Sequence, residues 1–461
     1  MEKIKKKYIG TGAFYRRYLY LALPMILQNA ITNLVSFLDN IMVGQLGTEQ
    51  MSGVAIVNQL IFVYNLAIFG AASAASIFGA QYFGKGDHKG HMYSFRFKLY
   101  ATLLVTVIAM TLFASRGSQL ISLYLTDTTG SGATEVALKY GLQYLAVMLF
   151  GLIPFAVNQS YATNIKETGQ TMVPMIASFV AVGSNAVLDY LLIFGIGPFP
   201  KLGVVGAALA TVLARYIEAG IVILWAHTHQ TKNRYLEGAY TGFGIPLAEL
   251  KAILIKGFPL MMNEVLWAAG MTTVTQCYSV RGLDVVAGLN IASTITNLFN
   301  IVYLQLGSCI SIVVGQYLGA GKLEDAKDAD NKMIVFSVFC CVIMAALMFV
   351  VGGFFPGIYN TTEEIRELAT SFIAVSAIIM PFCAFSHASY FTLRSGGKTV
   401  VTFLFDSVFT WVIVVPAAYL LAHFTGLGIV SIYFLVQGTE LIKVIIGYLM
   451  VKSNVWVVQM V

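Results

Sequence analysis

Charge is what this sequence has least of. Only 11% of its 461 residues are Asp, Glu, Lys or Arg, where a water-soluble domain carries about 25%. Hydrophobic residues make up 58%, and the mean hydropathy is +0.77. No soluble core hides that much apolar surface, so the solvent the chain is built for is lipid. That scarcity excludes a soluble enzyme, a DNA-binding protein and a disordered chain together. Strict apolar–polar alternation is missing as well, which excludes an outer-membrane barrel. Cysteine is sparse and unpatterned. Cys277, Cys309, Cys340, Cys341 and Cys383 all fall in apolar runs of the second half, without metal-ligand spacing, and read as small buried side chains. A phosphate-binding loop is lacking too: Gly397-Lys398-Thr399 ends like one, but the required earlier glycine position is Thr392. His227-Thr228-His229 is a weak metal pattern and reads as a polar loop margin. No small-residue cleavage site follows the basic start, so no cleavable leader is expected.

What the chain does have is continuous apolar runs of about 20 residues, which is the length of a membrane-spanning helix. They predict an all-α membrane protein with spans near 18–44, 52–80, 97–115, 139–162, 172–195, 204–228, 252–280, 288–317, 333–355, 367–392, 400–422 and 428–451. With the N-terminus in the cytoplasm, 21 of the 28 Lys and Arg residues fall on the inside, Lys3, Lys5, Lys6 and Lys7 among them. Five fall outside, and Arg215 and Lys443 lie within spans. This asymmetry supports a multi-pass inner-membrane protein with both termini cytoplasmic.

The two halves repeat. A shift of 235 pairs Pro24 with Pro259, Gly53 with Gly288, Asn65 with Asn300 and Ser73 with Ser308. It also aligns Gln81-Tyr82-x-Gly84-x-Gly86 with Gln316-Tyr317-x-Gly319-x-Gly321. Further on the shift drifts, pairing Gly169-x-Thr171 with Gly397-x-Thr399 and Leu202-Gly203 with Leu427-Gly428. Six spans per half is an even number, so both halves enter the membrane in the same direction. Two six-helix lobes related by a pseudo-two-fold axis along the membrane normal are expected, with a transport cleft between them. Residues 1–228 form the first lobe, 229–251 a cytoplasmic linker and 252–461 the second.

Most of the 22 acids fall in loops. Six fall within spans, where an ionised carboxylate costs about 2.5 kcal/mol or more and so faces a cavity, finds a partner or binds a proton. Arg215 and Glu218, and likewise Glu440 and Lys443, are spaced i,i+3 and read as structural ion pairs. Asp39, Asp189, Glu264 and Asp406 have no basic neighbour in sequence. Desolvation favours the neutral form of a carboxylate, which brings proton exchange within reach. Asn185 lies one turn before Asp189 on the same face, so the two offer the oxygen ligands that a monovalent cation or a proton relay uses; an Asn–Asp packing pair is the alternative. Phe62, Tyr64, Trp267 and Tyr303 could turn ring faces to an organic cation or serve as core. His387 is the lone deep histidine and has no local acid partner, which speaks against an intramembrane hydrolase. The two-lobe repeat favours a carrier over a channel.

At these residues the chain resembles the multidrug and toxic compound extrusion (MATE) transporters over nearly its whole length. The first-span run Pro24 through Leu38-Asp39-Asn40-Ile41-Met42-Val43-Gly44-x-Leu46-Gly47 is similar to that family's first-span motif. Gly203-x-x-Gly206-Ala207-Ala208-x-Ala210-Thr211 is similar to its sixth-span motif, and Leu393-Arg394-Ser395-Gly396-Gly397-Lys398-Thr399 resembles the tenth-to-eleventh junction of the DinF-like branch. The resemblance implies an exporter of small organic, mostly cationic, compounds, driven by H⁺ or Na⁺ and needing no other cofactor. It implies a cation site at Asp39, Asn185, Asp189 and Thr211, with possible Na⁺ at the first three and no other metal. Glu264 matches the family's seventh-span acid. Its repeat mate is Asn29, so Glu264, Asn29, Trp267, Tyr64 and Asp406 are candidates for substrate or secondary cation binding. One departure stands out. No acid occurs between Glu367 and Asp406, so a complete C-lobe sodium site of the NorM-like branch is not expected. A monomer without nucleic-acid partners is expected. The runner-up is a lipid-linked oligosaccharide or polysaccharide flippase, which would need a basic cavity.

Overall fold

The computed structural model describes residues 8–125, 133–242 and 244–461. Lys3, Lys5, Lys6 and Lys7 lie outside them. Among the described residues, twelve helices are long and apolar enough to cross a membrane. They are α1 (Gly12–Gly44), α2 (Thr48–Lys85), α3 (His88–Ser122), α4 (Thr134–Glu167), α5 (Met172–Phe194) and α6 (Val204–Thr228), followed by α7 (Leu247–Ser279), α8 (Leu283–Gly319), α9 (Leu323–Gly352), α10 (Glu363–Ser395), α11 (Thr399–Phe424) and α12 (Ile429–Lys452). Each predicted span lies on one of them. The largest differences are at two starts: α9 begins at Leu323 instead of near residue 333, and α3 begins at His88 instead of near residue 97. The first turns of α3 are polar, but His91, Ser94, Arg96 and Lys98 are all buried against protein, so hydropathy alone misplaces its start.

Several helices depart from the regular ladder. Pro24, Pro259 and Pro381 sit inside α1, α7 and α10, where each removes a backbone donor. In α4 the turn Leu149–Gly151 tightens to 3₁₀ geometry. In α11, Leu404–Val408 and Thr410–Val414 widen to π geometry, a form that recurs at functional sites. α12 is interrupted at Thr439, between Ile429–Gly438 and Glu440–Lys452.

The chain divides into two compact units. One comprises Met1–Ile26, Ala80–Asp87 and Ala252–Val461, and the other Leu27–Gly79 and His88–Lys251. Both α1 and α2 therefore contribute to each unit. In the first, the Tyr18 hydroxyl donates to Leu306 O at 2.9 Å and Tyr15 stacks on Phe336 at 4.7 Å. The repeated Gln-Tyr-x-Gly-x-Gly motifs meet there. A Cβ on Gly84 would lie 2.0 Å from Gln316 O, and one on Gly319 would lie 1.9 Å from Gln81 O. Glycine is required at both points because backbone crosses backbone. The Gln81 amide seals the crossing. It donates to Ser395 O at 2.9 Å and Val458 O at 3.2 Å, and its Oε1 accepts from the Met460 N–H at 2.8 Å. Gly84→Ala and Gly319→Ala are each expected to force the helix ends apart and to destabilise by about 1–3 kcal/mol or more. Thermal unfolding of the purified protein checks this, with Gly220→Ala in α6 as the comparison because its backbone is helical and its Cβ would meet nothing within 4 Å.

In the second unit the loop after α6 is clamped onto α3 by Arg96. Its guanidinium donates to Ala239 O at 2.9 Å, Gly244 O at 2.7 Å and Gly238 O at 2.7 Å. Tyr235 of that loop is fully buried against His91 and Phe95, at 4.9 and 5.2 Å between ring centres, and burial pushes its phenol well above the ordinary range.

Candidate functional site

The second unit brings together the acids that the sequence left without partners. α1 carries Asp39 and α5 carries Asp189, and the two carboxyl groups lie within hydrogen-bonding reach of each other. Asp189 is 1% exposed and Asn185, one turn before it, 5%. Among the described residues, neither carboxyl oxygen of Asp189 nor Oδ1 of Asp39 accepts a well-formed hydrogen bond, although the Asn185 amide lies close enough to Asp189 to act on it. Buried carboxyl oxygens are almost always satisfied, so this pair has spare acceptor capacity suited to a proton or a hard cation. Tyr144 on α4 closes the site. Its hydroxyl donates to Asn58 Oδ1 on α2 at 3.3 Å and reaches Thr211 on α6. Thr211 itself donates to Ala207 O at 3.1 Å. The four predicted residues Asp39, Asn185, Asp189 and Thr211 therefore share one neighbourhood. Sequence reading missed Tyr144 and Asn58, though Asn58 is a polar side chain well inside an apolar helix.

Neither predicted ion pair forms. Arg215 does not pair with Glu218. Its guanidinium donates to Gly151 O at 3.3 Å, at the 3₁₀ turn of α4, and lies 5.0 Å from the centre of the Phe155 ring. Glu218 instead accepts from the Ser178 hydroxyl, and Ser178 accepts from the Gln28 amide at 2.7 Å. In the first unit, Lys443 pairs with Asp406 at 2.7 Å and not with Glu440. Asp406, which has no basic neighbour in sequence, is thus neutralised from another helix. Asn263 adds a bond to Asp406 Oδ2 at 3.1 Å and is itself held by Ser407 at 2.8 Å. The Lys443 ammonium also lies 5.5 Å from the Phe405 ring centre. Spacing of i,i+3 places side chains on one face. It does not say which neighbouring helix that face meets.

The remaining candidates separate. Tyr64 is a core residue, 3% exposed, whose hydroxyl is bonded to Thr106 and Leu152 O, each at 2.9 Å. Tyr303 is likewise buried, 4.7 Å from the His387 ring. Glu264 is half-buried on α7, and the charges that act on it are Arg394 and Asp406. Trp267, three residues on, is exposed at 37%. Asn29 is half-buried on α1, and its backbone oxygen accepts from Asn33 at 2.9 Å. His227 meets the Tyr161 hydroxyl at 3.0 Å, and among the described residues no His, Cys, Asp and Glu cluster could hold a metal ion. A wholly buried network escaped sequence reading. Lys98 bonds Glu167 at 2.5 Å and also bonds Asn164, while His91 lies 3.4 Å from Glu167.

Among the described residues, twelve helices long and apolar enough to cross a membrane define a multi-pass membrane protein. Comparison with known proteins gives its family. The MatE family model matches residues 24–191 and 259–420, and the chain belongs to that family of membrane transporters. Among curated relatives, the probable multidrug resistance protein NorM of Thermotoga maritima is 24% identical over 414 residues, covering 89% of this chain and 86% of the relative. The Oceanobacillus iheyensis protein of the same name is 25% identical over 411 residues, covering 89% and 90%. These relatives carry the NorM name, whereas the Leu393–Thr399 junction resembles the DinF-like branch. Among solved structures, a MOP superfamily transporter from Pyrococcus furiosus superposes with a TM-score of 0.85 at 20% identity, covering 98% of both chains. An outward-facing multidrug resistance MATE family transporter gives a TM-score of 0.85 at 20% identity, covering 95% of both. The fold is therefore that of the two-lobed MATE transporters.

Proposed function

We propose that this chain exports organic, mostly cationic, drugs and toxic compounds by alternating access, in exchange for H⁺ or Na⁺ bound at Asp39, Asn185, Asp189 and Thr211. The observation that carries the reading is the pair of carboxyl groups facing each other on α1 and α5 with unsatisfied oxygens. Two carboxylates this close repel, and a bound proton or Na⁺ removes that repulsion. The helices can then draw together, so binding favours one conformation over the other. A coupling ion drives a transition only through such a difference in affinity. α1 is suited to respond because Pro24 interrupts its ladder and the chain passes from one unit to the other just beyond, between Ile26 and Leu27. The multidrug resistance names of the relatives support the substrate class. We assign Glu264 and Trp267, half-buried and exposed respectively, to substrate or secondary cation binding. The 21-to-5 distribution of basic residues supports cytoplasmic termini in the inner membrane.

A flippase for pyrophosphate-linked lipids would need free cations at depth. Of the two span cations, Lys443 is neutralised by Asp406, and Arg215, bonded to Gly151 O beside Phe155, is a single charge and not a basic cavity. The test is ethidium efflux from inverted vesicles under separately imposed proton and sodium gradients. Asp39→Asn is expected to reduce gradient-driven efflux at least tenfold while inserting normally, and full efflux from that variant would overturn the mechanism.

A further inference from the structure

The repeat places a second, unlike pair of sites in corresponding positions. The offset that pairs Pro24 with Pro259 pairs Gln28 with Asn263. The offset that pairs Gly169 with Gly397 pairs Ser178 with Asp406, and the one that pairs Gly203 with Gly428 pairs Glu218 with Lys443. Each triad is joined by hydrogen bonds inside its own unit: Gln28 to Ser178 to Glu218 in one, Asn263 and Lys443 to Asp406 in the other. The chemistry is inverted. In the C-half triad an ammonium cancels the carboxylate. In the N-half triad the carboxylate meets a neutral hydroxyl.

We infer that Glu218, held by Ser178 and Gln28, is a second proton-binding station, which exchanges the coupling proton with the Asp39–Asp189 pair along a polar face of α1, α5 and α6. The inference rests on the proposed role of Asp39 and Asp189. Gln28 precedes Asp39 by eleven residues, and Ser178 precedes Asp189 by eleven. Eleven residues are about three turns and about 16 Å of helix, so each pair shares one face. Asn185 lies between the last two on that face. On α6, Thr211, Arg215 and Glu218 follow i, i+4 and i+7 and also share a face. The two stations therefore lie on the same stripe of three helices, about 10 Å apart along α6, where seven residues separate Thr211 from Glu218, and about 16 Å apart along α1 and α5, within a hydrocarbon core of about 30 Å.

The groups that act on Glu218 are few. Ser178 from α5 donates to it, Gln28 from α1 reaches it through Ser178, and the cations nearby are Arg215 on α6 and Lys166 on α4. Neither cation is within ion-pairing distance. The carboxylate is thus polarised without being locked, unlike Asp406. Arg215 stands within the stripe between Thr211 and Glu218. Its fixed positive charge opposes the passage of a bare Na⁺, while a proton moves by exchange between hydroxyl, water and carboxyl oxygens and carries no ion past it. The step balances simply. The proton leaves the Asp39–Asp189 pair, which regains its negative charge. It neutralises Glu218 and is then lost to water at the far end of the stripe.

The test uses the full chain in liposomes, with ethidium as substrate. Two rates are read: uphill transport driven by an imposed pH gradient, and ethidium–ethidium exchange with no gradient. Glu218→Gln is expected to cut the driven rate at least tenfold and leave exchange within about twofold. Glu218→Asp is expected to restore most of the driven rate, and Ser178→Ala to show the same split more weakly. Undiminished driven transport in Glu218→Gln overturns the inference. So does loss of exchange in parallel with driven transport in both Glu218→Gln and Ser178→Ala, which would mark a purely structural contact, or a wild-type protein driven by a sodium and not a proton gradient. Retained driven transport in Asp39→Asn would instead overturn the underlying reading of the Asp39–Asp189 pair.

Discussion

Lys443→Met should destabilise the protein by about 3–5 kcal/mol, the usual cost of removing one member of a buried ion pair. The Lys443 ammonium is 2.7 Å from Asp406, and the two side chains are only 8% and 16% exposed. Removing the ammonium leaves a carboxylate whose remaining direct hydrogen bond among the described residues is from the Asn263 amide at 3.1 Å. The deficit should spread, because Asn263 also ties α7 to α11 through two contacts with Ser407 at 2.8 Å, next to the π-helical stretch Leu404–Val408. The temperature at which the detergent-solubilised protein loses monodispersity reads the effect. The double variant Lys443→Met/Asp406→Asn should recover most of the loss, since removing both charges leaves neither one orphaned. If the double variant is no better than the single one, packing of the lysine stem and not charge pairing is what matters there. A Glu440→Gln variant should be mild by comparison, because Glu440 makes no direct bond to Lys443.

The same residues show where sequence reading reaches its end. Apolar runs locate the twelve spans because lipid burial acts on each helix separately, and every window of the chain reports on itself. The acids without sequence neighbours were equally visible, and Asp39 and Asp189 do meet. Partner choice was not visible. Lys443 lies three residues from Glu440 and 37 from Asp406, yet it takes the distant acid, which sits in the π-helical stretch Leu404–Val408 of α11. Arg215 likewise turns to a carbonyl of another helix, Gly151 O at the 3₁₀ turn of α4. Tyr64 offered a ring with a polar tip, which is compatible with a binding cleft or a satisfied core, and its two hydroxyl bonds decide for the core. The polar start of α3 looked like a loop because its cations resemble solvated ones, until Glu167, Asn164 and three loop carbonyls account for Lys98 and Arg96.

The Asp39–Asp189 pair should respond in the opposite sense to Lys443. Asp39→Asn and Asp189→Asn are each expected to raise the unfolding temperature while reducing gradient-driven transport at least tenfold. The reason is that these charges oppose each other instead of cancelling. Two unit charges about 4 Å apart repel by about 4 kcal/mol at an effective dielectric of about 20, and a bound proton or cation relieves this only while it is bound. An Asn at either position removes the repulsion permanently. It also supplies an amide donor to buried carboxyl oxygens that accept no well-formed hydrogen bond. A stabilising substitution that abolishes activity is the expected behaviour of a site kept strained for function. The measurement pairs thermal unfolding with driven efflux for both variants, and Asp406→Asn serves as the contrast. That substitution should lower stability, because it orphans the Lys443 ammonium. If Asp39→Asn and Asp189→Asn instead lower stability as Asp406→Asn does, the two carboxyl groups are ordinary structural acids with partners of their own, and the coupling ion binds elsewhere. If both raise it and transport survives, their repulsion is real but not used. Only higher stability together with lost coupling identifies the pair as the element that the ion acts on.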